Sequence, residues 1–241
     1  MAISAAMVKE LRERTGLGMM DCKKALVEAD GDMDKAIEDL RKKSSLKAAK
    51  KAGRTAANGL LGVKSSEDGT RIAMVEVNIE TDFAAKNEKF IAFVTKVAHT
   101  LFESADMDAV AQSLNAERET LVQEIGENMT IRRGAVVESA PGGLSFYMHG
   151  DQRRGAIVQL SDKQDELGRD LAMHVVAINP MVVKSDDVDA DILAKEREIY
   201  MSQAQDSGKP EEIVVKMVIV LAPLLRKQIL RWVMMHSIKL L

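Results

Sequence analysis

The residues best placed to do chemistry lie in the stretch Asn78-Ile79-Glu80-Thr81-Asp82-Phe83-Ala84-Ala85-Lys86-Asn87. Here an acid and an aromatic, Asp82 and Phe83, sit side by side. They follow an apolar run, Ile72–Val77, that reads as a buried strand. They precede a helical pattern with Phe90, Phe93, Val94, Val97 and Leu101 on one face. Loops hold functional groups on a rigid scaffold. A carboxylate in such a place can perturb a metal or its ligands, and a phenyl ring can wedge a partner's packing open. Aromatic residues make up only 3% of the chain, so one at a strand-to-helix junction stands out. The same pattern admits a plainer reading, in which Asp82 caps the next helix and Phe83 joins the core.

Other chemistry is thinly represented. The sequence has no Gly-x-x-x-x-Gly-Lys-Ser/Thr loop for phosphates. It has neither His-Glu-x-x-His nor a Cys/His cluster of zinc spacing, so no metal or cofactor is expected. His99, His149, His174 and His236 are dispersed, without an obvious nucleophile beside any of them. His149 falls at a strand end, and His174 lies inside the apolar helical pattern Ala172–Val176. The one cysteine, Cys22, cannot form an intrachain disulfide; it fits a reducing compartment and reads as a small core residue.

Length and composition set the frame. A chain of 241 residues makes one large domain or two to three small ones. Apolar content of 46% with 29% charge suits a folded protein. The opening residues lack a basic stretch followed by an apolar core, so no signal peptide is expected. A spanning helix needs ~20 largely apolar residues. The best candidate, near the C-terminus, is interrupted by Pro223, Arg226, Lys227 and Arg231, which points to a cytoplasmic protein with no membrane partner. The net charge of -3 is unevenly spread: residues 1–54 hold 13 basic and 9 acidic side chains, residues 55–212 hold 16 and 28, and residues 213–241 hold 5 and none. The acidic middle argues against a nucleic-acid cleft there and leaves room for a basic protein surface.

These residues need elements to position them, and the pattern supplies an α+β order. Helices are expected over about 4–14, 19–29 and from 33 to about 43, with Ser4 and Asp32 as N-caps and Gly16 as a terminator. The acid-free stretch from Lys42 to Arg54 reads either as a basic arm for an acidic partner or RNA, or as a solvated helical linker. Strands are expected at Gly59–Val63 and Arg71–Val77 around Asp68-Gly69, a hairpin signal. Helices over about 90–101 and 115–125 precede a strand at Met129–Glu138. A second hairpin, Leu144–His149 with Ala156–Leu160, leads to a helix over about 167–178. Hairpin-then-helix therefore occurs twice, which suggests two related subdomains of one core. Helices over about 189–205 and 210–220, joined by a short link, suggest an antiparallel hairpin.

The segments Leu11–Leu26, Asn78–Lys86, Ile125–Arg133, His149-Gly150 and Met173–Val175 resemble, in order, those of the bacterial translation elongation factor Ts family. The likeness is collinear from residue 1 to about 218. It implies a guanine nucleotide exchange factor rather than an enzyme: a protein that binds elongation factor Tu in its GDP-bound and nucleotide-free states and promotes GDP release. It implies an N-terminal three-helix, ubiquitin-associated-like unit with a basic linker (1–54), a core N-subdomain (55–140), a core C-subdomain (141–188) and a helical hairpin (189–218). Lys23, Ile125 and His149 match partner-contact positions of the family. Thr81, Asp82, Phe83 and Ala84 match the segment that intrudes beside the partner's magnesium and displaces it.

The likeness ends after about Val218. The remaining residues, 219–241, form an apolar, basic tail with no acid and the only tryptophan, Trp232. Such a tail reads as a frameshifted end or as an amphipathic helix, and it leaves the C-subdomain incomplete, without its closing strand. Self-association stays open. The rival function is a protein-binding adaptor without exchange activity, which would have no use for Asp82-Phe83.

Overall fold

The computed structural model describes residues 3–139, 143–161, 164–180, 182–183, 187–206 and 236–238. It begins with helices α1 (Ala5–Thr15), α2 (Met19–Glu28) and α3 (Met33–Lys51). The Ser4 side chain accepts a hydrogen bond from Met7 N at 3.3 Å, and Asp32 accepts one from Lys35 N at 3.0 Å, so both expected caps form. Gly16, at φ 70°, ends α1 in the left-handed conformation that glycine adopts without strain. Leu11, Cys22, Ala25, Leu26 and Ala36 are wholly buried where the three helices meet, which places Cys22 in a core.

Up to Lys51 the basic stretch is helical, as the linker reading expects, and it continues the third helix without a break: α3 runs for 19 residues. Two of its lysines reach across to acids of α2. Lys43 pairs with Glu28 and Lys47 with Asp21, at 3.5 Å, so both brace α2. Ser44 and Ala48, on another face of α3, are buried, and the Ser44 hydroxyl meets Gln123 of the later helix α7 (Asn115–Ile125). A helix of this length is held by such tertiary packing more than by propensity.

Strands β1 (Asn58–Ser65) and β2 (Arg71–Ile79) form the expected hairpin around Asp68-Gly69, one register from Asn58↔Ile79 to Ser65↔Ile72. The other edge of β2 pairs antiparallel with β3 (Met129–Glu138), with a bulge at Glu76/Val77. Helix α5 (Glu88–Ser104) lies across this sheet with Phe90, Phe93, Val97 and Leu101 buried against it. The approach is close. A Cβ at Gly62 would come within 2.8 Å of Val94 O, and one at Gly134 within 2.7 Å of the Leu101 side chain and of Met107 Sδ. Helix α6 (Met107–Ser113), absent from the sequence reading, buries only Val110 and so carries little periodic signal.

A second sheet is built from β4 (Leu144–Met148), β5 (Gly155–Gln159) and β6 (His236–Ile238), in that order. Helix α8 (Asp165–Ile178) packs on it through Leu171, Ala172 and Val175, repeating the hairpin-then-helix order. The two sheets meet through Leu61, Ile72 and Met74 on one side and Leu144 and Ile157 on the other. Leu61 N also donates to Gln152 O at 2.7 Å, which ties the β4–β5 turn to β1. The expectation that the second sheet has no closing strand is corrected in one respect: β6, from the tail, pairs antiparallel with β5, Ile157 opposite Ile238. Helix α9 (Ala190–Asp206) follows the expected bounds closely. The expected helix over about 210–220 and the rest of the tail lie outside the described residues.

Candidate partner-contact site

The chain leaves β2 at Ile79 and enters a four-residue helix, α4 (Asp82–Ala85). The Thr81 hydroxyl caps it, accepting from Ala84 N at 3.2 Å, so Asp82 is the first helical residue and not a cap. The cap of α5 is Asn87, which accepts from Lys89 N at 2.9 Å. The plainer reading of Asp82 is thereby corrected, and so is that of Phe83. Ala84 and Ala85 are buried, whereas Phe83 is 81% exposed. A phenyl ring in water forgoes the burial that normally stabilises such a residue by ~1.5–3 kcal/mol. Asp82 lies 4.0 Å from the Lys86 ammonium, and that ammonium lies 5.8 Å from the Phe83 ring centre. Both contacts are at the surface, where an ion pair contributes little and is readily exchanged for another.

So short a helix does not hold itself. Two carboxylates hold it. Thr81 donates twice to Glu127, from its backbone N at 2.9 Å and from its hydroxyl at 2.7 Å. In return, Asn128 N donates to Glu80 Oε1 at 2.6 Å. The final rung of the β2–β3 ladder is Ile79↔Met129, so these bonds begin where the backbone pairing stops. The Arg54 guanidinium stands 3.6 Å from Glu80, whose backbone carbonyl accepts from Asn58 Nδ2 at 2.8 Å. Lys51, the end of α3, donates to Gly126 O. Burial, and next the charge of Arg54, hold its ammonium below the ordinary lysine value, while Glu80 and Glu127 pull the other way. Asn128 is buried and donates to Ala52 O at 3.3 Å and Arg54 O at 2.9 Å. The segment 51–54 and the 126–128 turn are thus fastened under α4.

Ile125 ends α7 immediately before Gly126, at φ 90°, and its half-buried side chain packs against the main core. The structure therefore brings Thr81, Asp82, Phe83 and Ala84 together with the turn that carries Ile125. Lys23 and His149 belong to other elements and share no hydrogen bond or ion pair with α4 among the described residues. Lys23 is exposed on α2, flanked by Met19, Met20 and Val27, which are 57%, 75% and 55% exposed. His149, half-buried, closes the β4–β5 turn: its N donates to Arg154 O at 2.9 Å, and its Nδ1 lies 3.1 Å from the Tyr147 hydroxyl. In that turn the Arg153 backbone N–H, and then the nearby charge of Arg154, hold the Asp151 carboxyl below its usual value.

Sequence reasoning assigned no part to Glu80 and Glu127. The usable signal was faint: a lone acid ending an apolar strand and another just before the partner strand. Among the described residues no group of three or more His, Cys, Asp or Glu could hold a metal ion, and no helix is long and apolar enough to cross a membrane.

Residues 80–220 match the family model described as Elongation factor TS. The chain is 56% identical over 220 residues to Elongation factor Ts of Hahella chejuensis, covering 90% of this chain and 76% of that protein. It is 52% identical over 222 residues to the protein of that name from Saccharophagus degradans, covering 91% and 77%. The Elongation factor Ts of Arthrospira platensis is 50% identical over 225 residues, 90% of each chain. The family match ends at residue 220, close to the point where the sequence likeness is expected to stop.

Proposed function

Because this chain belongs to the elongation factor Ts family, and is on that ground a translation elongation factor, we propose that it is a guanine nucleotide exchange factor. It binds elongation factor Tu carrying GDP and promotes GDP release by disturbing the magnesium and phosphate site. It works by shifting an equilibrium in its partner and catalyses no covalent chemistry. The observation that carries this reading is Phe83, 81% exposed on a short helix whose neighbouring alanines are buried.

Nucleoside diphosphates are held largely by a metal ion and by backbone N–H groups around the phosphates. An exchange factor shifts that site only by its differential affinity for the loosened state. A ring that is buried only when the partner's helices have moved supplies such a difference. At ~1.5–3 kcal/mol for a buried phenyl, it favours the loosened state by roughly ten- to hundredfold. Nucleotide and exchange factor then weaken each other by the same factor. Asp82, loosely paired to Lys86, is available to hydrogen-bond a partner group near the metal or to disfavour its geometry by charge.

In the same reading, α1 to α3 form the ubiquitin-associated-like unit of segment 1–54, and Lys23 with its apolar neighbours docks on the partner. Segments 55–140 and 141–188 are the two core subdomains, 189–218 is the helical hairpin, and Ile125 and His149 supply further contacts. No nucleic acid or membrane is needed, and the work is done in the cytoplasm. The exposed face of α2 alone would suit an adaptor without exchange activity, but that function leaves the exposed Phe83 without a use.

The test is release of a fluorescent GDP from purified elongation factor Tu in a stopped-flow instrument. The expected result is release that accelerates with the concentration of this chain until it saturates. Release that is no faster with the chain than without it refutes the proposal.

A further inference from the structure

We infer that Glu127, together with Glu80, is a positioning residue for the exchange reaction: the two carboxylates form a clasp that holds the Phe83 helix at a fixed angle to the turn carrying Ile125. The inference rests on the exchange reading above and adds to it the residues that make the wedge stiff.

The geometry is reciprocal. The amide of residue 81 donates to the carboxylate of residue 127, and the amide of residue 128 donates to the carboxylate of residue 80, at 2.9 and 2.6 Å. One chain segment that has just left the β-ladder and one about to join it are thus paired through side chains, beyond the Ile79↔Met129 rung. Backbone pairing would keep them parallel to the sheet. Side-chain pairing lets one turn into α4 and the other arrive from α7 while their relative placement stays fixed. Hydrogen bonds to an ionised acceptor are roughly twice as strong as neutral ones, which suits a four-residue helix with no strength of its own.

The Thr81 hydroxyl links the two functions of the clasp. It donates its proton to Glu127 Oε1 and accepts from Ala84 N, so the same oxygen that is pinned by the carboxylate caps α4. Basic residues stand beside the clasp. Arg54 stands 3.6 Å from Glu80, and Lys51 is fixed to Gly126 O within the field of both acids. A wedge that gives way under load transmits none of its binding free energy to the partner. Positioning of this kind acts on the maximal rate, because small misplacements of a working group are costly even when binding survives.

Glu127→Gln is the informative substitution. It keeps the size of the side chain but removes the charge and replaces one acceptor oxygen by a donor that faces the Thr81 donors. At saturating factor the maximal rate of GDP release from elongation factor Tu is expected to fall about tenfold, with the half-saturating concentration changed by less than about twofold. The decisive readout is the double variant with Phe83→Ala. If Glu127 acts through the ring, Glu127→Gln adds nothing further once the ring is gone. A Glu127→Gln variant at the wild-type maximal rate, or a double variant slower than Phe83→Ala by the full single-variant factor, overturns the clasp. Failure of the unmodified chain to accelerate release overturns the exchange reading and the clasp together. Should Glu127→Gln not fold, Glu80→Gln removes the other half of the clasp and is held to the same outcomes.

Discussion

At the scale of single residues, the proposed contacts divide by how they are held. Phe83 projects from a clasped helix, and Ile125 is half-buried at a turn fixed by Lys51. Lys23 is exposed on α2, among exposed methionines. A flexible ammonium on a free surface supplies attraction and guides encounter more than it deforms a partner. Lys23→Ala is therefore expected to raise the concentration of factor giving half-maximal exchange by about three- to tenfold and to leave the maximal rate of GDP release unchanged. A titration of exchange rate against factor concentration separates these quantities. A fall in the maximal rate at saturation would contradict the docking role of Lys23. His149, pinned between Arg154 O and the Tyr147 hydroxyl, is the more rigidly held of the proposed contacts.

At the scale of elements, the sheet and its covering helix were legible because their periodicities are strong. The inner face of α5 was readable as Phe90, Phe93, Val94, Val97 and Leu101, all of them buried, and α7 and β3 took the expected bounds. The start of α3 was legible from its Asp32 cap, but its end was not. Its second half is rich in Lys and Ala, good helix formers, and the tertiary contacts of Lys43, Ser44, Lys47 and Lys51 show why it continues the same helix. Helix α4 escaped for the opposite reason. Four residues have no period, and the acids that secure it lie 46 and 48 positions from their partners in the chain. The close approach of α5 to the sheet was also invisible, since Gly62 reads as any strand residue until Val94 O is seen beside it. Gly62→Val forces α5 outward and is expected to destabilise the protein by ~1–3 kcal/mol, read as a lowered midpoint in urea with an unchanged slope. An unchanged midpoint would show that the helix gives way at no cost.

At the scale of the whole molecule, the sheets stack through Leu61, Ile72, Met74, Leu144 and Ile157, and the Leu61 N–H reaches the β4–β5 turn. That stacking fixes the turn bearing His149 against the sheet from which α4 emerges. If both regions contact the partner as proposed, binding free energy gathered at one place is applied at the other. In the proposed mechanism the carboxylate clasp, the stacked sheets and the α3–α7 contact stiffen the scaffold from which the exposed Phe83 ring acts. The most direct measurement is the maximal rate of labelled GDP release from elongation factor Tu at saturating Phe83→Ala, beside its equilibrium binding to nucleotide-free elongation factor Tu. The expected result is a maximal rate lower by about ten- to hundredfold, with the variant still able to form the complex. A variant that releases GDP at the wild-type rate would contradict it.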